Sequence, residues 1–198
     1  MILTDIAHVN LGTILTRVKQ RNELEEYLEL DTITMQELSY VSGYSDMKWT
    51  PLFSKVSKKK NDICLFTEEN DIVIGLSSMN SMVITKERSN KLLLSNFCLV
   101  RIKDKEILDP YYFVWLINEC KAFKKQLVGS MQGCSYVKML SLDTVRSLDV
   151  DLPDISIQRK IGMVYKLGIE KDRLTKRIIE INRMLRNELL ENKVYGGK

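Results

Sequence analysis

Histidine is almost missing from this chain: His8 is the only one in 198 residues. A hydrolytic triad, or any proton relay built on imidazole, therefore has one candidate and nothing to support it. Cysteine is sparse as well. Cys64, Cys98, Cys120 and Cys134 lie far apart and form no C-x-x-C pair, so zinc-ligand spacing is lacking and reduced, mostly buried thiols are expected. No apolar run reaches the roughly 18 residues of a bilayer span. The N-terminal Met1-Ile2-Leu3-Thr4-Asp5 has neither the basic start nor the apolar stretch of a secretory signal. Together these gaps predict a cytoplasmic location with no membrane contact. Neither G-x-x-x-x-G-K-[ST] nor G-x-G-x-x-G occurs, so no phosphate loop or dinucleotide site is expected. The expectation is a chain with no catalytic residue, no metal and no cofactor.

What is present is ordinary in amount and uneven in placement. The hydrophobic fraction is 44% and the charged fraction 28%, which suits a globular domain with an appendage. Net charge is +4. Residues 1–152 hold 19 Lys/Arg and 20 Asp/Glu, whereas residues 153–198 hold 11 and 6. A nucleic-acid site in the first part must therefore be a local patch. The break falls at Pro153 and predicts two units, a domain over 1–152 and a long helix over 153–198.

The pattern over the first unit predicts an α+β fold with a twisted mixed or antiparallel sheet and short helices. Residues 5–18 suit either a strand or a short helix. The charged run around Arg17, Lys19 and Arg21 leads to a strand near Tyr27–Thr34. Residues 49–53 read as a turn, and Lys58, Lys59 and Lys60 as a solvated one. Short β-type runs follow at Ile63–Phe66, Ile72–Ile74, Met82–Thr85, Leu92–Leu94 and Phe97–Ile102. Asp109-Pro110 is a helix start, with a capping side chain before proline at the first position. Phe113, Leu116, Ile117, Cys120, Phe123 and Leu127 continue at helical spacing until Gly129. A glycine-flanked loop comes next, then a short helix over Leu142–Leu148 and a last strand over Val150–Leu152.

From Ser156, read as the N-cap, one helix extends to about residue 194 with no further proline. Its 3–4 spacing puts Ile157, Lys160, Val164, Leu167, Lys171, Leu174, Ile178, Ile181 and Leu185 on one seam, and Ile161, Ile179, Met184, Leu189 and Leu190 widen it. Such a helix is about 58 Å long at roughly 1.5 Å per residue, against a domain diameter on the order of 30–40 Å. Only its first two turns are expected to pack on the domain. The remainder needs a partner helix, from a second copy or another protein. Lys160 and Lys171 would fix register, and Gly168 would allow close approach.

Asp109-Pro110-Tyr111-Tyr112 is similar to the D-P-P-Y motif of DNA adenine methyltransferases, but the second proline is missing and no donor-binding loop precedes it. It reads as a helix cap. In order along the chain, four segments resemble the specificity (S) subunit of type I restriction–modification systems, in half-length form. Asn70-Asp71-Ile72-Val73-Ile74 resembles the family's G-D-I-L-I strand, with asparagine for glycine. Ser95–Ile102 followed by Leu108–Tyr112 resembles its strand and P-x-Y-L helix. Gly129-Ser130 to Leu140-Ser141-Leu142 resembles its G-S … L-S-L loop. Leu152-Pro153 to Gln158-Arg159-Lys160-Ile161 resembles its L-P … E-Q-x-x-I start of the long helix, with isoleucine for glutamate.

The resemblance implies a non-catalytic DNA-reading subunit. In the family two recognition domains are each followed by a helix; the helices pair antiparallel, set the gap between half-sites and dock the adenine methyltransferase subunits. One domain and one helix imply a dimer, with a second copy or another S protein, that reads a bipartite site in double-stranded DNA and joins methyltransferase and, in some systems, restriction subunits. Base and phosphate contacts are then expected from Ser130, Gln132, Ser135, Tyr136 and Lys138 in the glycine-flanked loop and from Ser78 and Asn80 between two strands. Arg17, Lys19, Arg21, Lys58, Lys59 and Lys60 are expected on the backbone. The competing reading, motivated by the near-neutral first unit, is a structural adaptor whose helix joins a larger bundle without touching DNA.

Overall fold

The computed structural model describes residues 1–22, 24–129 and 139–196. In chain order these form α1 (Leu3–Ile6), β1 (Ala7–Leu11), α2 (Leu15–Val18), β2 (Tyr27–Thr32), α3 (Met35–Val41) and β3 (Leu52–Ser57). A 3-10 turn (Lys58–Ile63) leads to β4 (Ile72–Gly75), β5 (Ser81–Val83), a second 3-10 turn (Lys86–Arg88) and β6 (Phe97–Ile102). The helices α4 (Pro110–Asn118), α5 (Lys121–Gly129), α6 (Leu142–Arg146) and α7 (Ile155–Tyr195) complete the chain.

The main sheet has the order β1-β6-β4-β5 and every pair in it is antiparallel. Val100 of β6 sits at its centre, opposite Val9 on one side and Ile72 on the other. Both faces are covered, so the period of two sorts side chains into two cores rather than into core and solvent. Ile72, Ile74, Val83, Cys98 and Val100 point to a layer built by α4, α5 and α6. Val73, Met82, Phe97 and Leu99 point the other way, against Ile33 and Leu38. The open edge at β1 is blunted where Arg146 of α6 donates to the Val9 carbonyl at 3.3 Å.

The second sheet is the β2–β3 ribbon, paired from Tyr27–Ser57 to Thr32–Leu52. It is tied to the body by a bridge from Thr32 to Leu92 and by a small cluster of Val18, Val56 and Leu92. Beside it lies a buried group of charges. Glu37 of α3 is wholly buried and accepts from Lys91 Nζ at 3.1 and 3.2 Å; Lys91 also meets Asp31 at 3.1 Å. Arg88 Nε lies 3.3 Å from Glu37 but is not aligned for a hydrogen bond, and the Trp49 ring covers its guanidinium at 5.2 Å.

The α+β architecture, the strand Phe97–Ile102 and the start of α4 agree with the sequence reading. Asp109 caps α4 by accepting from Tyr112 N at 2.9 Å, with Pro110 at the first position. Several expectations fail. Leu52 and Phe53 open β3 instead of forming a turn. Ile63–Phe66 and Leu92–Leu94 contribute isolated bridges, not strands, and no strand forms over Val150–Leu152. The predicted helix through Leu127 is broken at Glu119, where φ of −128° leaves the helical range and the Tyr44 hydroxyl donates to the preceding Asn118 carbonyl at 2.8 Å. Ser156 is not the cap of α7; Asp154 holds that position, with no side-chain cap bond. Helix α3 has no counterpart in the sequence reading.

Candidate nucleic-acid interface and pairing helix

Of the residues expected to touch bases, Ser130, Gln132, Ser135, Tyr136 and Lys138 lie outside the described residues, as does Cys134. Both flanks of that segment are fixed. Phe123 and Leu127 bury one side of α5. Beyond the segment, buried Leu140 donates from its backbone to the Leu76 carbonyl at 2.9 Å. Leu76 directly follows β4, so this flank returns beside the β4–β5 turn that carries Ser78 and Asn80. That turn is tight: Met79 has φ 57°, Gly75 N donates to Asn80 O at 2.9 Å, and Ser78 Oγ accepts from Asn80 N at 3.3 Å. Both side chains are half-buried, and the Asn80 amide has no side-chain partner among the described residues.

The six basic candidates gather in one place. Lys19 bridges to Val56 of β3, and Gln20 N donates to Lys55 O at 3.4 Å. Lys60 Nζ donates to the Arg17 carbonyl at 2.8 Å, which ties the 3-10 turn to the end of α2. Lys55, not singled out in the sequence, joins them 4.7 Å above the Tyr27 ring. The patch carries its own carboxylates. Lys58 pairs with Glu26 at 3.0 Å, and Lys55 reaches Glu29 at 3.9 Å. Glu25 titrates below the usual carboxylate range, chiefly because the Arg21 backbone N–H donates to it, with help from the Ser57 hydroxyl and then Lys60 and Lys59. Glu26 is likewise lowered, first by the hydrogen bond from Lys58. Arg17, Lys19, Arg21 and Lys59 keep side chains with no hydrogen bond or ion pair among the described residues, and all four are exposed.

Helix α7 has two stripes with different fates. The inner one begins at Gln158, which is buried and fully engaged: Nε2 donates to Ile107 O at 3.0 Å and Pro153 O at 2.8 Å, and Oε1 accepts from Asp109 N at 3.1 Å. Gly162 follows, where an added Cβ would lie 2.5 Å from Asp109 Oδ1 and 2.9 Å from Tyr112 N. Close approach to the body is thus achieved at Gly162; at Gly168 a Cβ would meet nothing of the single chain within 4 Å, which leaves that position open to a partner helix. Next, the Tyr165 hydroxyl accepts from Asn118 Nδ2 at 2.8 Å. Asn118 in turn donates to Ser81 O and accepts from Ser81 N, each at 2.8 Å. Arg173 continues the stripe. It donates to the Tyr40 and Val41 carbonyls at the C-terminus of α3, where a cation suits the helix dipole, and stacks 4.8 Å over Tyr40. Between Tyr165, Ile169, Arg173 and the body lies a cleft of about 140 Å³, also lined by Arg88, Tyr111 and Val114.

Lys176 ends the stripe by pairing with Asp46 at 2.9 Å, so the body holds α7 well beyond the two turns expected. The seam read from the sequence is not the stripe it uses. Ile157 is 45% exposed, Val164 72%, Leu167 54%, Leu174 65%, Ile178 58%, Ile181 48% and Leu185 52%, and Lys171 is exposed among them. At 3.6 residues per turn the two stripes lie roughly 160° apart around the helix. From Leu174 onward every described residue of the helix is exposed. Tyr165 and Arg173 are functional side chains that sequence reasoning missed, and Gln158 enters it only as part of a motif, with no role. Their own i, i+7, i+15 spacing was the available signal, masked by their polarity.

Among the described residues no group of His, Cys, Asp and Glu is placed to hold a metal ion. No helix among them is long and apolar enough to cross a membrane.

A family model described as the type I restriction modification DNA specificity domain matches residues 2–183. No curated protein sequence gives a significant match. Solved structures do. A chain from work on complex assembly and conformational transition of the type I R-M system aligns at a TM-score of 0.58 and 13% identity, covering 96% of this chain and 49% of that one. The HsdS subunit from Thermoanaerobacter tengcongensis aligns at 0.56 and 14%, covering 98% and 46%. The S subunit of a type I system from M. genitalium aligns at 0.56 and 14%, covering 97% and 44%. At these identities the likeness is one of fold. The chain spans about half the length of each of these proteins.

Proposed function

The chain belongs to the type I restriction modification DNA specificity domain family, and from that premise we propose that it is a half-size specificity subunit that works as a dimer. The matched domain is a DNA-specificity domain and not a catalytic one. In this reading residues 1–152 form a reading head and residues 153–198 a spacer helix. The heads of two copies read the two halves of a bipartite site in double-stranded DNA. The paired helices, with the heads, recruit adenine methyltransferase subunits and, where one exists, a restriction subunit.

The observation that carries the reading is the exposed apolar seam on the side of α7 turned away from the body. Seven large side chains, each worth about 1.5–3 kcal/mol when fully buried, are left in water by the single chain. A body fastened through Gln158, Tyr165 and Arg173 holds that seam in one orientation, which suits a spacer. The turn with Ser78 and Asn80, the residues Ser130, Gln132, Ser135, Tyr136 and Lys138, and the free cations Arg17, Lys19, Arg21 and Lys59 are the proposed DNA contacts.

Light scattering tests the assembly: the purified chain is expected at twice the monomer mass, and Leu174→Glu with Ile178→Glu reduces it to a monomer. A DNA titration over several salt concentrations tests the other half, since phosphate contacts give a steep log–log slope. A dimer whose affinity for DNA in the presence of methyltransferase subunits ignores salt would favour the adaptor reading instead.

A further inference from the structure

The seam also carries a charge pattern that selects how a second copy lies on it. With the two α7 helices antiparallel, as the family resemblance implies, we propose that they pair in a single register, with the two-fold axis crossing between Asp172 and Arg173 and with Glu170 of each copy bound to Arg177 of the other. This rests on the dimer reading above and adds its geometry.

The two lysines in the seam accord with that orientation. In a parallel pair, residues of equal number meet across the interface. Lys160 would face Lys160 and Lys171 would face Lys171, placing like charges together inside an apolar layer. In an antiparallel pair the two seam positions of the repeat meet each other instead, and each lysine faces a large apolar side chain. Its four-carbon stem can then lie on that side chain with the ammonium reaching water.

Antiparallel pairing leaves three registers, one heptad apart, that keep most of the seam covered. They differ at the flanking positions next to the axis, which in antiparallel coils meet their own kind. If Lys171 lies against Leu167 of the second copy, Glu170 meets Glu170. If Lys171 lies against Ile181, Arg177 meets Arg177. Only with Lys171 against Leu174 does Glu170 meet Arg177, and symmetry then makes that pair twice. The same register sets Val164 against Ile181 and Leu167 against Ile178. On the other flank it puts Gly168 beside Thr175, both small, where nothing of the single chain occupies the space.

The side chains are available for this. Glu170 has no ion pair or hydrogen bond among the described residues and is exposed. Arg177 is 62% exposed and among the described residues pairs with Glu180, one turn on along the same helix at 2.6 Å, a surface pair of little strength. Because the body lies on the opposite stripe, a second helix can follow the seam past Arg173 without meeting it.

Charge exchange is the direct test, on the full chain by sedimentation equilibrium. Glu170→Arg and Arg177→Glu each replace two attractions by two repulsions and should weaken the dimer on the order of tenfold or more. The double variant Glu170→Arg with Arg177→Glu should return to about wild-type affinity. Cysteine pairing gives a second reading: Val164→Cys chains mixed with Ile181→Cys chains should oxidise to a linked heterodimer, and Val164→Cys mixed with Leu174→Cys should not. Single variants that dimerise unchanged, a double variant weaker than both, or linkage between positions 164 and 174 would overturn the register. A wild-type chain that sediments as a monomer would sink the dimer itself, whereas a dimer indifferent to the exchange sinks only the register.

Discussion

Tyr165 of α7 and Asn118 at the end of α4 share a hydrogen bond of 2.8 Å, and through Asn118 the long helix is fastened to Ser81 at the edge of the sheet. Tyr44 reaches the same point from another segment, donating to the Asn118 carbonyl at 2.8 Å and to Glu119 at 3.1 Å. The orientation of the exposed seam depends on this knot, since it lies midway along the inner stripe.

The knot should make stability fall at alkaline pH. Burial pushes the Tyr165 phenol up to about 12, against a smaller lowering from the Asn118 hydrogen bond. Burial, with Glu119 adding to it, also raises Tyr44. A phenol raised in the folded state is favoured there in its neutral form. Its contribution is complete below the unfolded value, about 10, and is lost as pH rises through the folded value. Urea titrations from neutral to strongly alkaline pH should show the decline, and Tyr165→Phe should lose about 1 kcal/mol at neutral pH while flattening it. An equal decline in the Phe variant would place the alkaline weakness elsewhere.

The two glycines inside α7 should respond in opposite ways to alanine. At Gly162 the new methyl collides with Asp109 Oδ1 and the Tyr112 backbone, disturbing the cap of α4. Overpacking of that kind costs about 1–3 kcal/mol. At Gly168 the same change meets nothing and should gain up to about 1 kcal/mol through helix propensity. Thermal melts of the two variants at matched concentration check both signs; a harmless Gly162→Ala would mean that α7 does not seat against α4 as described.

Those same features mark what was legible in the sequence. Phe97–Ile102 and the Asp109-Pro110 cap could be read because each is decided locally, by β-branched apolar residues in one case and a side-chain cap in the other. The seam of α7 could be read because its residues are greasy and regularly spaced. The inner stripe escaped because Gln158, Gly162, Tyr165 and Arg173 are not apolar, and their value comes from partners more than forty residues away. Leu52 and Phe53 misled because a neighbouring proline suggests a turn, yet the strand they open is an exposed ribbon edge. Leu92–Leu94 shows the reverse failure: all three are apolar, but they bridge different segments instead of pairing with one strand. Helix α3 carries Glu37, a buried acid, and a reading that places charge at the surface passes over it.

Glu37 and Lys91 should be much less tolerant than surface pairs. Lys91→Met leaves Glu37 buried with only the misaligned Arg88 beside it. Removing one partner of a buried pair costs about 3–5 kcal/mol. The double variant Glu37→Gln with Lys91→Met removes the stranded charge and should lose less than the two single changes combined. Chemical denaturation of the four proteins completes the cycle, and additive losses would show that the two groups are not coupled.

The basic patch should divide into lysines that serve the fold and lysines free for DNA. Lys60 is held by the Arg17 carbonyl, which fixes its position, and Lys58 holds Glu26, which partly neutralises its charge. Lys59 makes neither kind of interaction among the described residues, although its field helps lower Glu25 and Glu26. Removing one cation that neutralises a duplex phosphate reduces the log–log salt slope by about 1. Lys59→Gln should therefore flatten the slope by about that amount, and Arg17→Gln and Arg21→Gln should do likewise. Lys58→Gln should change it less, because Lys58 is already paired with Glu26 and is not available to neutralise a phosphate in full. Fluorescence anisotropy on a mixed-sequence duplex, with the methyltransferase partner present, measures all four slopes. If the triple change at Arg17, Arg21 and Lys59 leaves the slope at the wild-type value, this face of the molecule does not lie on the duplex.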